Sequence, residues 1–247
     1  MLGLSYELIT PAAHAPGGQT ASIVDVVIIG GGPVGLATAL TLSRPPHNCQ
    51  VCVVESNPRV DYYDPTKAFL YNINARGLKF ITKFPRLYEK LQHSAVKSQS
   101  MRNNFMIVPA DPNTPLPSAD SKEDETFDIN KVSFWLPRHE FTRIIKEVAE
   151  EENLNFQRQK LKNTQTDNNH NVGSISLLFG MECLDVSPSA VVDVDGDNSY
   201  GVELRLKNIT SNYLSTVRCN LAIGADGYKS SVCQNFTFAF DSIGTGL

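Results

Sequence analysis

The chain has 247 residues, 41% of them hydrophobic, with 22 basic and 26 acidic side chains and a formal net charge of −4. That length holds one large domain or two small ones, the apolar content suffices for a core, and the acidic balance gives no footing for nucleic acid. Five cysteines, an odd number, without a secretory leader pattern argue against a disulfide framework and for a reducing compartment, the cytoplasm or an organelle interior.

Residues 1–23 are rich in Ala, Pro, Gly and Thr and contain no Lys or Arg, the composition of a flexible tail rather than of a signal or transit peptide. From Val24 to Ser43 a β-branched run, three consecutive glycines and a Leu/Ala/Thr run write strand, turn and helix in succession. Gly30, Gly32 and Gly35 match G-x-G-x-x-G. The first permits a tight turn, the second lets a pyrophosphate approach the backbone and the third lets helix pack on strand, while the helix beginning at Pro33 and Val34 points its N–H groups at the phosphates. The same apolar stretch has the length of a membrane span, but Asp25, the glycines and Pro33 break the continuous helix a span requires.

A second strand, Gln50 to Val54, ends at Glu55, about the 20 residues beyond the glycines at which an acid meets a ribose 2′-hydroxyl. A carboxylate there repels a 2′-phosphate, so FAD or NAD suits the site better than NADP. Cys49 and Cys52 form C-x-x-C, yet no second pair completes a zinc site, and they are expected to be ordinary strand residues.

A loop with Asn57-Pro58 and Asp64-Pro65 leads to a helical stretch bearing Leu78, Ile81 and Leu87, interrupted at Pro85. Its basic residues between Lys79 and Arg102 read as a solvated helix face. Phe105 to Val108 is a predicted strand, followed by a polar, proline-rich insertion over 109–128. Val132 to Leu136 reads as extended. Arg138 to Glu151 reads as a helix with Phe141, Ile144, Ile145 and Val148 on one face. Arg138 itself is either a planar fork for phosphate oxygens or an exposed first residue of that helix. A second polar insertion spans 163–173.

From Ser174 the pattern becomes short strands: Ile175 to Phe179, Met181 to Val186, Val191 to Val194, Gly201 to Leu206 and Thr216 to Ile223. The acidic patch Asp193 to Asn198 lacks the closing glutamate of a calcium loop and reads as a hairpin turn. The last strand delivers Asp226 and Gly227, an Asp-Gly pair that is either a plain turn or a carboxylate at the end of a parallel strand, where open α/β sheets bind ligands.

Four segments in this order resemble the FAD-dependent aromatic hydroxylases of the para-hydroxybenzoate hydroxylase type, and among them the kynurenine 3-monooxygenase branch: the glycine fingerprint ending at Glu55, Lys67 to Gly77, Leu136 to Phe141, and Cys219 to Gly227. The resemblance implies an α/β fold, a Rossmann-like FAD-binding domain of glutathione-reductase type over 24–247, with an antiparallel β-meander and part of a substrate domain. It also implies that Gly30, Gly32, Pro33, Val34 and Gly35 hold the FAD pyrophosphate, Glu55 the adenosine ribose, Arg138 a phosphate or ribose, and Asp226 with Gly227 a ribityl or ribose hydroxyl. The implied activity is NAD(P)H-dependent hydroxylation of an aromatic or similar small molecule through a flavin C4a-hydroperoxide, with the chemistry carried by the flavin and no conventional catalytic side chain. Cys233 stands where relatives commonly carry arginine, and a second Gly-Asp motif is absent after Asp226, so the chain reads as the N-terminal part of such an enzyme. Two other readings share these residues: a nucleotide-binding fragment without catalysis, and an FAD-dependent oxidase or reductase of the same fold.

Overall fold

A computed structural model describes residues 23–60, 62–99, 132–164, 172–192 and 198–227. In chain order its elements are β1 (Ile23–Ile29), α1 (Pro33–Leu42), β2 (Gln50–Glu55), a 3-10 turn (Pro65–Lys67), β3 (Leu70–Ile73), α2 (Ala75–Ile81), α3 (Pro85–Ser94), β4 (Val96–Gln99), β5 (Val132–Pro137), α4 (Arg138–Thr164), β6 (Ser174–Phe179), β7 (Met181–Val192), β8 (Asn198–Asn208) and β9 (Leu214–Gly224). They form two compact units, one from Met1–Tyr62 with Ile145–Leu247 and the other from Tyr63–Ile144.

The first unit holds a six-stranded sheet in the order β6-β2-β1-β9-β8-β7. The first four strands are mutually parallel, and β8 and β7 continue antiparallel. β1 and β2 are buried on both faces, which is why they read as unbroken β-branched runs rather than alternating ones. Ile28 faces α1, and Val27 and Ile29 point to the opposite side, where they join Cys52, Val54, Val186, Leu204 and Leu206 in one core cluster. The antiparallel strands therefore curl over the face that α1 leaves uncovered. Each fully buried Val, Leu or Ile side chain here contributes roughly 1.5–3 kcal/mol. Helix α1 starts on Pro33, whose fixed φ suits the first helical position, buries Leu36, Ala39 and Leu40 and leaves Val34 exposed.

The second unit is a three-stranded antiparallel sheet, β3-β5-β4. Phe134 and Leu136 of β5 are buried, as are Leu78 and Ile81 of α2 and Leu87 and Leu91 of α3, while Lys79, Lys83 and Arg86 stay exposed. Lys79, Lys83 and Arg86 are thus solvated in the α2–α3 region as expected, whereas Lys97 of the same stretch lies on β4 and not on a helix. Pro85 ends the α2 region by starting α3, with Phe84 as its N-cap.

Several expectations change. The helix from Arg138 runs to Thr164, so Asn163 and Thr164 of the second polar insertion are helical. Residues 172 and 173 are ordered against the sheet, and 165–171 lie outside the described residues. Gly173 is pressed against the Ser43 carbonyl, 2.0 Å from where its Cβ would stand, and Ser174 N–H donates to Cys49 O at 3.2 Å. Ile175–Phe179 joins the parallel sheet beside β2 instead of the antiparallel set. Val191 and Val192 extend β7, which is one strand of twelve residues and not two short ones. β3 and β4 carry no clear period and were not expected. β1 begins at Ile23, within the span read as tail. The strand at Phe105–Val108, the insertion at 109–128, residues 193–197 of the acidic patch and Cys233 lie outside the described residues, as does the tail before Ile23. Among the described residues no helix is long and apolar enough to cross a membrane.

Candidate dinucleotide site

Three segments meet at the C-terminal ends of the parallel strands. Ile29 of β1 is in register with Val54 of β2 on one side and Gly224 of β9 on the other. Gly30 N–H donates to Val54 O at 2.8 Å, and Ala225 N–H donates to Ile29 O at 2.7 Å. Gly30 has φ +112°, and a Cβ there would stand 2.4 Å from Ala225 O and 2.7 Å from Asp226 N. Glycine is therefore required twice, by the turn and by the Asp226 turn packed on it. β1 stands here between β2 and β9, at the C-terminal edge of the parallel strands, where open α/β sheets bind ligands.

Gly31 N–H donates to Glu55 Oε2 at 2.7 Å, while Glu55 Oε1 accepts from Asn57 N–H at 2.7 Å and from the Ser56 hydroxyl at 3.2 Å. A Cβ on Gly31 would lie 2.8 Å from Glu55 Cβ. The glycine fingerprint passes over Gly31, although it clamps the acid to the turn; the third consecutive glycine was its signal. A carboxylate offers about four lone-pair positions; three are taken, and Oε2 keeps acceptor capacity for one more hydroxyl. Phe179, the last residue of β6, is paired with Glu55 in the parallel register.

Gly32 caps α1 without a side chain, the first turn carries no acid, and Pro33 contributes no N–H. The unpaired N–H groups of that turn, with the positive end of the helix dipole, form an anion site. Gly35 permits this approach: its Cβ would fall 1.9 Å from Gly30 O. Gly227 has φ +84° with open space around it, so there the backbone conformation and not crowding calls for glycine.

Gly30, Gly32, Pro33, Val34, Gly35, Glu55, Asp226 and Gly227 thus all lie in the first unit, at one edge of one sheet. Arg138 belongs to the second unit, as the first residue of α4, where its N–H donates to Phe69 O at 3.0 Å and its carbonyl accepts from Thr142 Oγ1 at 2.9 Å. Among the described cysteines of the first unit, burial works against thiolate chemistry. Burial pushes Cys52 up to about 12 with a smaller effect of Cys219, and burial followed by the nearby Asp226 and Asp185 charges pushes Cys183 up to about 11. Both stay protonated and unreactive at neutral pH. What this edge offers is binding: N–H donors for a diphosphate between two carboxylates suited to hydroxyl groups.

A comparison with curated proteins finds no match. Solved structures share the fold. The flavin-dependent monooxygenase PieE, in complex with FAD and substrate, is 21% identical with a TM-score of 0.53 over 87% of this chain and 32% of its own. The p-nitrophenol 4-monooxygenase PnpA from Pseudomonas putida DLL-E4 is 17% identical with a TM-score of 0.56 over 88% and 44%. Aklavinone-11 hydroxylase, in a ternary complex with FAD and aklavinone, is 18% identical with a TM-score of 0.54 over 89% and 36%. The chain spans less than half the length of each. The model of the family described as "FAD binding domain" matches residues 23–245, nearly the whole chain, and the chain belongs to that family.

Proposed function

We propose that this chain binds FAD as the nucleotide-binding part of an NAD(P)H-dependent monooxygenase acting on an aromatic or similar small organic molecule. The observation that carries the reading is the convergence of the Gly30 turn, Glu55 and the Ala225-Asp226 turn within hydrogen-bonding and van der Waals contact. A Cβ at Gly30, Gly31 or Gly35 would fill the turn, and the donors and acceptors left there match a diphosphate and sugar hydroxyls.

On this reading the first turn of α1, from Gly32 through Pro33 and Val34 to Gly35, receives the pyrophosphate. Glu55, held by Gly31, takes a ribose hydroxyl on its remaining acceptor position. Asp226, at the turn completed by Gly227, takes a hydroxyl on the flavin side. When bound, FAD supplies electron transfer and oxygen activation, and the protein's part is to position it. The structures of PieE and aklavinone-11 hydroxylase with FAD support this assignment. Residues 24–247 then act as one FAD-binding region of a larger flavoenzyme of the cytoplasm or an organelle interior. The segments Lys67 to Gly77 and Leu136 to Phe141 favour the kynurenine 3-monooxygenase branch as the narrower reading.

The test is the visible absorption spectrum of the purified chain after FAD addition and desalting, beside Glu55→Ala. Flavin is expected to stay with the parent chain and to be lost from the variant; a folded parent chain that retains none overturns the proposal. Substrate-triggered NADPH oxidation with a hydroxylated product separates a monooxygenase from an oxidase or reductase.

A further inference from the structure

We propose that Phe179 is the platform on which the adenine ring of the dinucleotide stacks, an inference that rests on the FAD reading above. The strand order across the C-terminal edge is β9, β1, β2, β6, each step about 4.8 Å. The chemistry along that edge runs in the same direction: the Asp226 carboxylate at β9, phosphate-binding N–H groups after β1, and the ribose-binding Glu55 at the end of β2. The base is bonded to that ribose on the side away from the diphosphate, which is the side of β6.

The residue that β6 presents there is Phe179, paired directly with Glu55. Its ring carbon Cε1 lies 3.3 Å from the position of a Gly31 Cβ, so the ring borders the glycine turn itself. The Lys146 ammonium of α4 lies over one face of the ring, 5.5 Å from its centroid, a cation–π contact that helps to orient the ring. Gly180, with φ +71°, then turns the chain away and lies against Pro58 of the loop that follows Glu55. An aromatic side chain serving only the core would be sealed, as Ile175 of the same strand is; Phe179 stays partly open.

The experiment measures FAD affinity by flavin fluorescence, and AMP against ribose 5-phosphate by competition, for the parent chain, Phe179→Leu and Phe179→Trp. Loss of one aromatic stack is expected to weaken FAD binding by roughly 5- to 100-fold in Phe179→Leu. The advantage of AMP over ribose 5-phosphate should shrink in step, ribose 5-phosphate affinity should hold, and Phe179→Trp should bind as the parent does. A Phe179→Leu chain that keeps both FAD affinity and the AMP advantage overturns the platform and leaves the FAD reading standing, as does a loss that falls equally on ribose 5-phosphate. Absence of FAD binding in the parent chain overturns both.

Discussion

Replacing Gly35 by alanine adds one methyl group at the tightest point of the nucleotide turn. Its carbon would stand 1.9 Å from Gly30 O and 3.1 Å from Gly30 C. Gly30 cannot yield, because its N–H is bonded to Val54 O and it already abuts the Ala225 backbone. Helix α1 must move instead, by on the order of 1 Å, and its buried face of Leu36, Ala39 and Leu40 has no free volume to receive the shift. Overpacking of this kind costs about 1–3 kcal/mol, and the better helix propensity of alanine returns up to about 1 kcal/mol. At 1.9 Å the clash lies at the upper end of that cost, and a net loss of about 2 kcal/mol in a chain of this size lowers Tm by roughly 4–8 °C.

The same displacement moves the N–H groups of the first turn away from the diphosphate, and FAD affinity should fall by about tenfold or more, equivalent to roughly 1.4 kcal/mol. Gly173→Ala is the control. It meets the Ser43 carbonyl at 2.0 Å, an equally severe clash, but at the start of β6, about 20 Å along the strand from the candidate site. Thermal melts and flavin titrations of both variants should show two destabilised chains, only one of them impaired in binding. A Gly35→Ala chain that melts within about 1 °C of the parent and binds FAD equally well would refute the reasoning.

Two further outcomes follow from the core. The unfolded chain ionises the Cys52 thiol near 9.0, whereas burial and then Cys219 push the folded thiol up to about 12. Its contribution is complete below pH 9 and is lost as pH rises towards about 12, at about 1.4 kcal/mol per pH unit for one proton; urea midpoints across that window should fall less steeply for Cys52→Ala, and an unchanged slope contradicts the assignment. Leu204 of β8 is fully buried in the cluster with Val27, Cys52 and Val54, so Leu204→Ala should cost about 2–5 kcal/mol in urea unfolding, with FAD affinity intact at temperatures where the variant is folded.

Much of the nucleotide edge was legible because its signals are local. A β-branched run, a glycine turn and Pro33 at the first helical position decide strand, turn and helix within about twenty residues, and the second strand ends on its acid at Glu55. The Asp226-Gly227 pair was legible as a turn after a strand, but not as the neighbour of Gly30. Gly31 and Phe179 carried no motif: a hydrogen bond to Glu55 and a place beside it across β6 exist only once those strands pair. The weakly periodic β3 and β4 escaped notice for the same reason, since such short edge strands are specified by their partner β5 more than by their own residues.

The sequence by itself determined the strand-turn-helix unit, the positions of Glu55 and Asp226 at strand ends, and the apolar faces of the helices, because dihedral preference and hydrophobic period act over a few residues. Tertiary structure decided which strands are neighbours. It set β9 beside β1, so that the Ala225 backbone closes on Gly30, and it drew β6 into the parallel sheet, so that Phe179 stands next to Glu55. Interstrand hydrogen bonds join backbone groups common to every residue, so a strand's composition says that it will pair and not with which partner; that choice is made when the whole core packs.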